Sequence, residues 1–313
     1  MTGIEWTQQV WNPTTGCDKV SPGCEHCYAL AMAKRLKGMG SAKYQRDGDP
    51  RTSGPGFAIT EHPAALTQPL TWRQPRRVFV NSMSDLFHQG VTDKFLAQVW
   101  AVMAATPQHT YQVLTKRHAR MRSLLQTGEF FELVLEEAVE ALGLPGIPWP
   151  LPNVWVGVSV EDQKRADLRI PALLDTPAAV RFLSCEPLLG PVDLWSWLDC
   201  PHDSMSGGGI PGGRWRCDHC AATCHDTDSS PGLGPYRPGL HWVITGGESG
   251  HGARPMHPAW ARHLHHQCAA AGVAFFFKQT GSVLARRWGC SDPKGHHRAE
   301  WPEPFPREYP HAA

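Results

Sequence analysis

What most constrains this chain is a repeated pairing of a short, uninterrupted apolar run with a charged or hydroxyl cluster directly after it. Val78-Phe79-Val80 runs into Asn81, Ser82, Ser84 and Asp85. Tyr111 to Leu114 ends in Thr115-Lys116-Arg117, and Val154 to Val158 ends in Ser159, Glu161 and Asp162. Val180 to Leu183 leads to Ser184-Cys185-Glu186, Trp242 to Ile244 leads to Thr245-Gly246-Gly247-Glu248, and Val273 to Phe277 leads to Lys278-Gln279. Strands that are apolar throughout are buried on both faces, the pattern of a parallel sheet covered by helices.

Helical patterns alternate with these runs. Thr92 caps one that turns Phe95, Leu96, Val99, Trp100 and Met103 inward. Others are expected from about His118 to Leu142, broken near Thr127-Gly128, in part of Ala166 to Leu174, over Asp193 to Leu198 and over Ala259 to Ala271. With one more strand near Glu5 to Val10, the chain reads as an α/β fold: a parallel β/α barrel, closed or partly open, of about six to seven β/α units. No GxGxxG follows the first strand, which argues against a doubly wound sheet. In β/α barrels the C-terminal rim carries the chemistry, so the polar clusters are expected to share one pocket.

Before the second strand lies WNPTTGCDKVSPGCEHCY, Trp11 to Tyr28, with Cys17, Cys24 and Cys27 in a C-x6-C-x2-C array. Its Gly and Pro residues suit a loop wrapped tightly around a bulky ligand. A helix pattern follows, with Tyr28, Ala31, Met32 and Leu36 sharing a face and Gly38 as its stop. Three thiolates can hold three irons of a 4Fe–4S cube and leave the fourth iron open to a substrate or cofactor. The same three thiols also suit a zinc knuckle without a visible fourth ligand, or chance cysteines in a reduced protein, and spacing alone leaves these readings open.

The 313 residues carry 41% hydrophobic side chains and a net charge of +1, which suits a globular protein and gives no global electrostatic case for nucleic acid. Local basic patches occur at Arg73, Arg76 and Arg77, at Lys116 to Arg122, and at Arg286 and Arg287. The polar start and the lack of a long apolar run point to a cytoplasmic protein without a membrane span. Ten cysteines then imply metal or catalytic use rather than disulfides. Residues 1–198 and 239–313 are expected to form one domain, with Lys37 to Pro69 as a surface excursion and the tail after Gly281 as an irregular strap. Residues 199–238 break the rhythm as a Gly/Pro/Cys-rich insert. There the C-x2-C of Cys217 and Cys220 has zinc-knuckle spacing, with Cys200, Cys224, His202 or His225 able to complete a Zn2+ site; a disordered insertion carrying spare thiols is the alternative.

The cysteine array resembles the cluster loop of radical SAM enzymes. The chain as a whole is similar to an uncharacterised phage-associated family of radical SAM-like proteins, in WNPTTGCDKVSPGCEHCYA, FVNSMSDLFH, YQVLTKR, VWVGVSVEDQ, RFLSCEPLLGPVDL, WVITGGESGHGARPMH and FFFKQTG. The usual radical SAM loop is C-x3-C-x2-C with an aromatic before the last cysteine; here the first gap is six residues and that position is His26. The resemblance implies a 4Fe–4S cluster on Cys17, Cys24 and Cys27, S-adenosylmethionine on its open iron, and an electron donor such as flavodoxin or ferredoxin. Reductive cleavage would give a 5′-deoxyadenosyl radical that abstracts hydrogen from a substrate.

On that reading Asn81, Ser82 and Asp85 meet S-adenosylmethionine, and Lys116, Ser159, Glu186 and Lys278 hold its carboxylate, its ribose or the substrate. Gly246-Gly247-Glu248 matches the segment that often receives the amino group, although it follows the sixth strand rather than the second. Lys116 with Glu186 has a plain alternative as an ion pair across the barrel mouth. Cys185 is either buried filler or a hydrogen-atom donor whose thiol Glu186 helps restore. The order of SDLF, LTKR and VSVED distantly resembles spore photoproduct lyase, which makes nucleic acid the expected substrate. The alternatives are a non-catalytic metal-binding scaffold or nucleic-acid-binding protein, and a zinc-dependent barrel hydrolase using Glu186 or Glu248.

Overall fold

The computed structural model describes residues 4–198 and 239–310, together with the backbone of three short strands between them. Those strands, Met205–Ser206, Arg214–Cys217 and Thr223–His225, form a small antiparallel sheet. Cys200 and Cys220 lie outside the described residues, as do the side chains of Cys217 and Cys224, and with them the zinc site expected in the insert.

Seven strands build one parallel sheet: β1 (Gln9–Val10), β2 (Arg77–Val80), β3 (Thr110–Thr115), β4 (Val154–Ser159), β5 (Val180–Cys185), β6 (Trp242–Gly246) and β7 (Ala274–Gln279). They stand in chain order. The helices are α1 (Tyr28–Gly38), α2 (Asp93–Ala104), α3 (His118–Leu125), α4 (Gly128–Glu136), α5 (Gln163–Asp175), α6 (Pro258–Ala270) and α7 (Ser282–Trp288). Spatial order equal to chain order is the wiring of a β/α barrel, whereas a doubly wound sheet reverses at a switch point. β1 and β7 are not paired, so the sheet is curled into a half-barrel.

Alternation along the strands separates two cores. Val78, Val80, Val113, Val158, Leu183 and Phe275 turn outward and meet the helices, including Phe95, Leu96, Val99, Trp100 and Met103 of α2. The Thr92 hydroxyl caps α2 by accepting from the Phe95 amide, as its sequence implied. The opposite faces enclose Trp6, Phe79, Trp155, Phe182, Trp242 and Phe276 inside the curl. The Trp242 ring lies 6.1 Å from Trp6, 5.9 Å from Trp155, 5.7 Å from Phe182 and 6.0 Å from Phe276. Trp6 precedes β1 and Trp242 lies in β6, so this contact spans the curl. Gly157 is needed because the Phe182 ring occupies the space a β-carbon would take.

The C-terminal tail packs as a strap along β7. Phe277 N donates to Pro306 O and Glu308 N to Phe275 O, both at 2.9 Å. Trp242 Nε1 donates to Glu308 O, and the Tyr309 hydroxyl donates to Glu5 O on the segment before β1. Phe305 stacks on Phe277 with ring centres 4.3 Å apart. The strap therefore covers the edge of β7 that barrel closure would otherwise have satisfied.

Four local expectations change. Asp193 to Leu198 is a turn rather than a helix, in which the Trp197 and Leu198 amides both donate to Leu194 O. α5 is longer than its periodicity implied: it is capped by Asp162 and continues past Pro171. The Lys37 to Pro69 stretch is more than a surface excursion, since Tyr44 and Phe57 form a small core with Ala29, Ala33 and Met83. Finally, α1 buries Ala29 and Ala33 and leaves Tyr28, Ala31 and Met32 exposed. Among the described residues no helix is long and apolar enough to cross a membrane.

The strap's role is measurable. Phe305→Ala should lower the unfolding free energy by about 3–5 kcal/mol, the usual range for emptying a buried aromatic site. Urea denaturation checks this, and a loss below about 1 kcal/mol would mean that the strap is not part of the cooperative core.

Candidate functional site

The strand ends converge at the C-terminal mouth, and the cysteine loop lies across it. Its first anchor is on the end of β2. Asn12 Oδ1 accepts from Ser82 N at 2.8 Å and Met83 N at 3.2 Å, and Asn81 Nδ2 donates to Thr14 Oγ1 at 2.6 Å. Gly16 N bonds Met83 O, and Gly16 sits at φ +91° with its α-carbon so close to the Ala58 carbonyl that no side chain fits. Thr14–Thr15 also pairs antiparallel with Thr60–Glu61, so the long excursion before β2 holds the loop from outside.

The second anchor is Asp18, next to Cys17. Its carboxylate accepts from Thr52 Oγ1 at 2.7 Å and from His88 Nε2 at 2.9 Å, while Arg117 Nη2 reaches its carbonyl. Gly90 N donates to His88 Nδ1 at 3.0 Å, so the proton of the neutral ring sits on Nε2. Burial holds the His88 pKa below its usual value despite the neighbouring Asp18 carboxylate. Burial alone would raise the Asp18 pKa, but the bonds from Thr52 and His88 bring it below the ordinary carboxylate value.

The third anchor reaches β4. Glu161, with no solvent exposure, accepts from Ser21 Oγ at 2.5 Å and from Arg169 Nη1 at 2.9 Å, with Lys116 Nζ 3.8 Å away. A β-carbon on Gly23 would overlap the Glu161 carboxylate. The fourth anchor comes from β6. Arg254 binds both oxygens of Glu248, donates to Pro22 O at 2.8 Å and lies 3.5 Å from the Glu25 carboxylate. Burial would raise the Glu248 pKa, but the Arg254 bonds hold it below the usual range. The loop is thus tied to the ends of β2, β4 and β6.

Cys17, Cys24 and Cys27 are all free and partly exposed. Cys17 and Cys27 border the small Ala29–Phe57 core, Cys24 Sγ lies 3.8 Å from Ser21 Oγ, and Cys27 is the N-cap of α1. Burial, then the Asp85 charge, pushes the Cys17 thiol up to about 12. Beneath the loop, the inward faces of the strands carry a polar layer above the aromatic core. Lys116 Nζ donates to Ser159 Oγ at 3.0 Å, and Lys278 Nζ pairs with Glu186 Oε1 at 2.6 Å. Lys116 and Glu186 are therefore not partners of each other.

Several expected ligands have internal partners. Asp85 accepts from Phe87 N, Thr115 Oγ1 and Lys116 N, which joins the ends of β2 and β3. The Ser82 hydroxyl meets Asn12, and its carbonyl accepts from the Tyr28 hydroxyl. Gly246 O accepts from Leu188 N, and Gly247 packs so closely on the Thr280 carbonyl that a side chain would collide. Gly-Gly-Glu here joins β6 to β7 and, through Arg254, to the cysteine loop. Cys185 is fully buried in the outer core with Cys268, on the strand face opposite Glu186, and burial pushes its thiol well up. Its side chain is in the sheet–helix layer rather than the rim pocket. By contrast, Asn81 Oδ1 is buried without a hydrogen-bond partner.

Ser21, Glu161, Arg169 and Arg254 were not among the expected site residues. Glu161 was visible as a strand-end carboxylate, but its partner Ser21 is 140 positions away in sequence. Among the described residues, no three His, Cys, Asp or Glu side chains are grouped to hold a single metal ion. The thiols of a cube each take a different iron, so this does not bear on a cluster. Three free thiols on one anchored loop suit a cube with an open iron, and the orphaned Asn81 oxygen is an acceptor available to what binds there.

These features define a partial β/α barrel whose C-terminal mouth is crossed by a tricysteine loop. The particular family follows from the sequence: the model described as "Protein of unknown function (DUF5131)" matches residues 1–300, and the chain belongs to that family. No curated protein and no solved structure matches it.

Two outcomes follow from the anchors. Glu161→Ala leaves Arg169 buried without its carboxylate and should cost about 3–5 kcal/mol in chemical denaturation. Gly23→Ala should leave the barrel folded while Cys24 in the metal-free protein reacts faster with a thiol reagent; an unchanged rate would mean that Glu161 does not seat the loop. The pH dependence has a definite sign. Because the folded His88 pKa is depressed, its contribution is full above the unfolded value of about 6.5 and is lost as pH falls through the lower folded value. Thermal unfolding should show this fall below about pH 6.5, and His88→Gln should flatten it.

Proposed function

We propose that this chain is an iron–sulfur protein of the radical SAM type that acts on a nucleic acid or nucleotide. The observation that carries the reading is the position of Cys17, Cys24 and Cys27 on one loop across the C-terminal mouth of a half-barrel, above a polar layer. Bound there, a 4Fe–4S cluster with S-adenosylmethionine would supply one-electron reductive cleavage of the sulfonium.

The chain's own residues have separable roles. The three cysteines hold the cluster, and the anchors at Asp18, Glu161 and Arg254 keep the loop over the mouth. Asn81 Oδ1 offers an acceptor for an amino or hydroxyl group. Lys116, Ser159, Glu186 and Lys278 orient the polar end of a substrate, with the two lysines suited to phosphate or carboxylate. The aromatic layer below closes the floor to water. The non-catalytic scaffold stays as the second reading, favoured by the internal partners of Asp85 and Glu248.

Anaerobic purification should give a brown protein with about four irons and four sulfides per chain. The Cys17→Ala/Cys24→Ala/Cys27→Ala variant should lose them, and an undiminished iron content in it would overturn the cluster assignment. Dithionite with S-adenosylmethionine should then yield 5′-deoxyadenosine. A loaded cluster that gives none would favour the scaffold.

A further inference from the structure

α1 places an unusual surface beside the cysteine loop. At 100° per residue, Tyr28, Ala31, Met32 and Arg35 fall on one stripe, and Met39 continues it just past the helix end. Every one of them is exposed. Tyr28 is 55%, Met32 40% and Met39 69% exposed, and Val20 in the cysteine loop is 46% exposed. These four make up the majority of the exposed large hydrophobic residues among those described, although they span only residues 20–39. Apolar side chains scattered singly over a surface need no explanation, but a grouped set does.

Arg35 is the one charge on this stripe, and the other charges of the helix, on its flanks, have the same sign. α1 carries Lys34, Arg35 and Lys37 and no acidic residue. Lys37 is neutralised by Asp47 at 2.6 Å, whereas Lys34 and Arg35 have no acidic partner among the described residues. An apolar centre of Met and Tyr with Arg beside it matches the composition of protein–protein interfaces. Nucleic-acid interfaces are more polar, built on phosphate contacts, so exposed methionines weigh against that occupant.

We infer that this face of α1 docks an acidic one-electron carrier protein. The inference rests on the proposed cluster, which must receive an electron. Cys27 caps the helix, and Met32 stands five residues further on, about 7.5 Å of axial rise. A carrier seated on Met32, Arg35 and Met39 is therefore held next to the loop that bears the thiols. One electron leaves the reduced flavin of such a carrier, taking it from hydroquinone to semiquinone, and enters the cluster, which is reduced by one unit. Unpaired Lys34 and Arg35 steer an acidic partner at low salt, and the small apolar centre gives a short-lived complex suited to turnover.

The test is stopped-flow bleaching of the brown absorbance in the loaded, full-length protein, with reduced flavodoxin and, separately, with dithionite. Met32→Glu and Arg35→Glu should each slow reduction by flavodoxin about tenfold or more and weaken its salt dependence. Reduction by dithionite should be unchanged, which shows that the cluster and fold are intact. Unchanged flavodoxin rates in both variants would overturn the docking assignment and leave the cluster reading standing. Wild-type protein that dithionite does not bleach would overturn both. Light scattering and anisotropy with a labelled oligonucleotide identify other occupants. Dimers lost in Met32→Glu, or oligonucleotide binding lost in Arg35→Glu, with flavodoxin reduction unaffected would assign the face to a second copy or to nucleic acid instead.

Discussion

The half-barrel depends on what fills its concave side, and Trp242 is at the centre of that filling. One indole meets Trp6 before β1, Trp155 on β4, Phe182 on β5, Phe276 on β7 and Tyr309 on the strap. A parallel sheet of this width has no reason of its own to stop curling where this one does. The large rings set the radius, and the strap takes up the edge that the unclosed barrel leaves on β7. Because the rings occupy the lower part of the curl, Lys116, Ser159, Glu186 and Lys278 gather at the mouth. The chemistry-bearing layer is therefore a consequence of the aromatic one below it.

The cysteine loop is placed by polar contacts rather than by apolar burial. Its own sequence is Gly- and Pro-rich and has little to contribute to a core. Glu161 and Arg254 tie its neighbouring residues Ser21 and Pro22, and each is itself held by a second charged group, Arg169 for one and Glu248 for the other. Removing a member of such a pair leaves a buried or half-buried charge without its partner, so the geometry is stiff. Asp18 adds a third tie through a neutral histidine. Several polar residues that looked like ligands for an outside molecule are in fact the means by which the loop is held.

The cysteine loop and α1 together make an asymmetric mouth. One side is closed by the loop's anchors and by the Tyr28 hydroxyl on Ser82 O, while α1 also presents Met32 and Met39 to solvent. That asymmetry suits a site approached by two different molecules, one from within the mouth and one across the helix. Such a division would let the polar layer recognise a substrate while the α1 face serves a partner protein.

Sequence by itself determined the strands, their parallel sense, their polar C-terminal ends and most of the helices, because burial on both faces and helical periodicity leave a local record. It also marked the tricysteine loop. Only the tertiary structure decided whether the barrel closes, since that depends on rings as far apart in sequence as Trp6 and Trp242. It also decided that Cys185 faces the helices, that Glu248 binds Arg254 and that Lys278 rather than Lys116 meets Glu186. The apolar stripe of α1 was legible, but which way it faced was not. A helix buries whichever side its neighbours cover, and here Tyr44, Phe57 and Met83 cover the side of Ala29 and Ala33. Local patterns report which residues can be buried or charged together; the partners that make them so come from distant segments, and only the assembled fold brings those together.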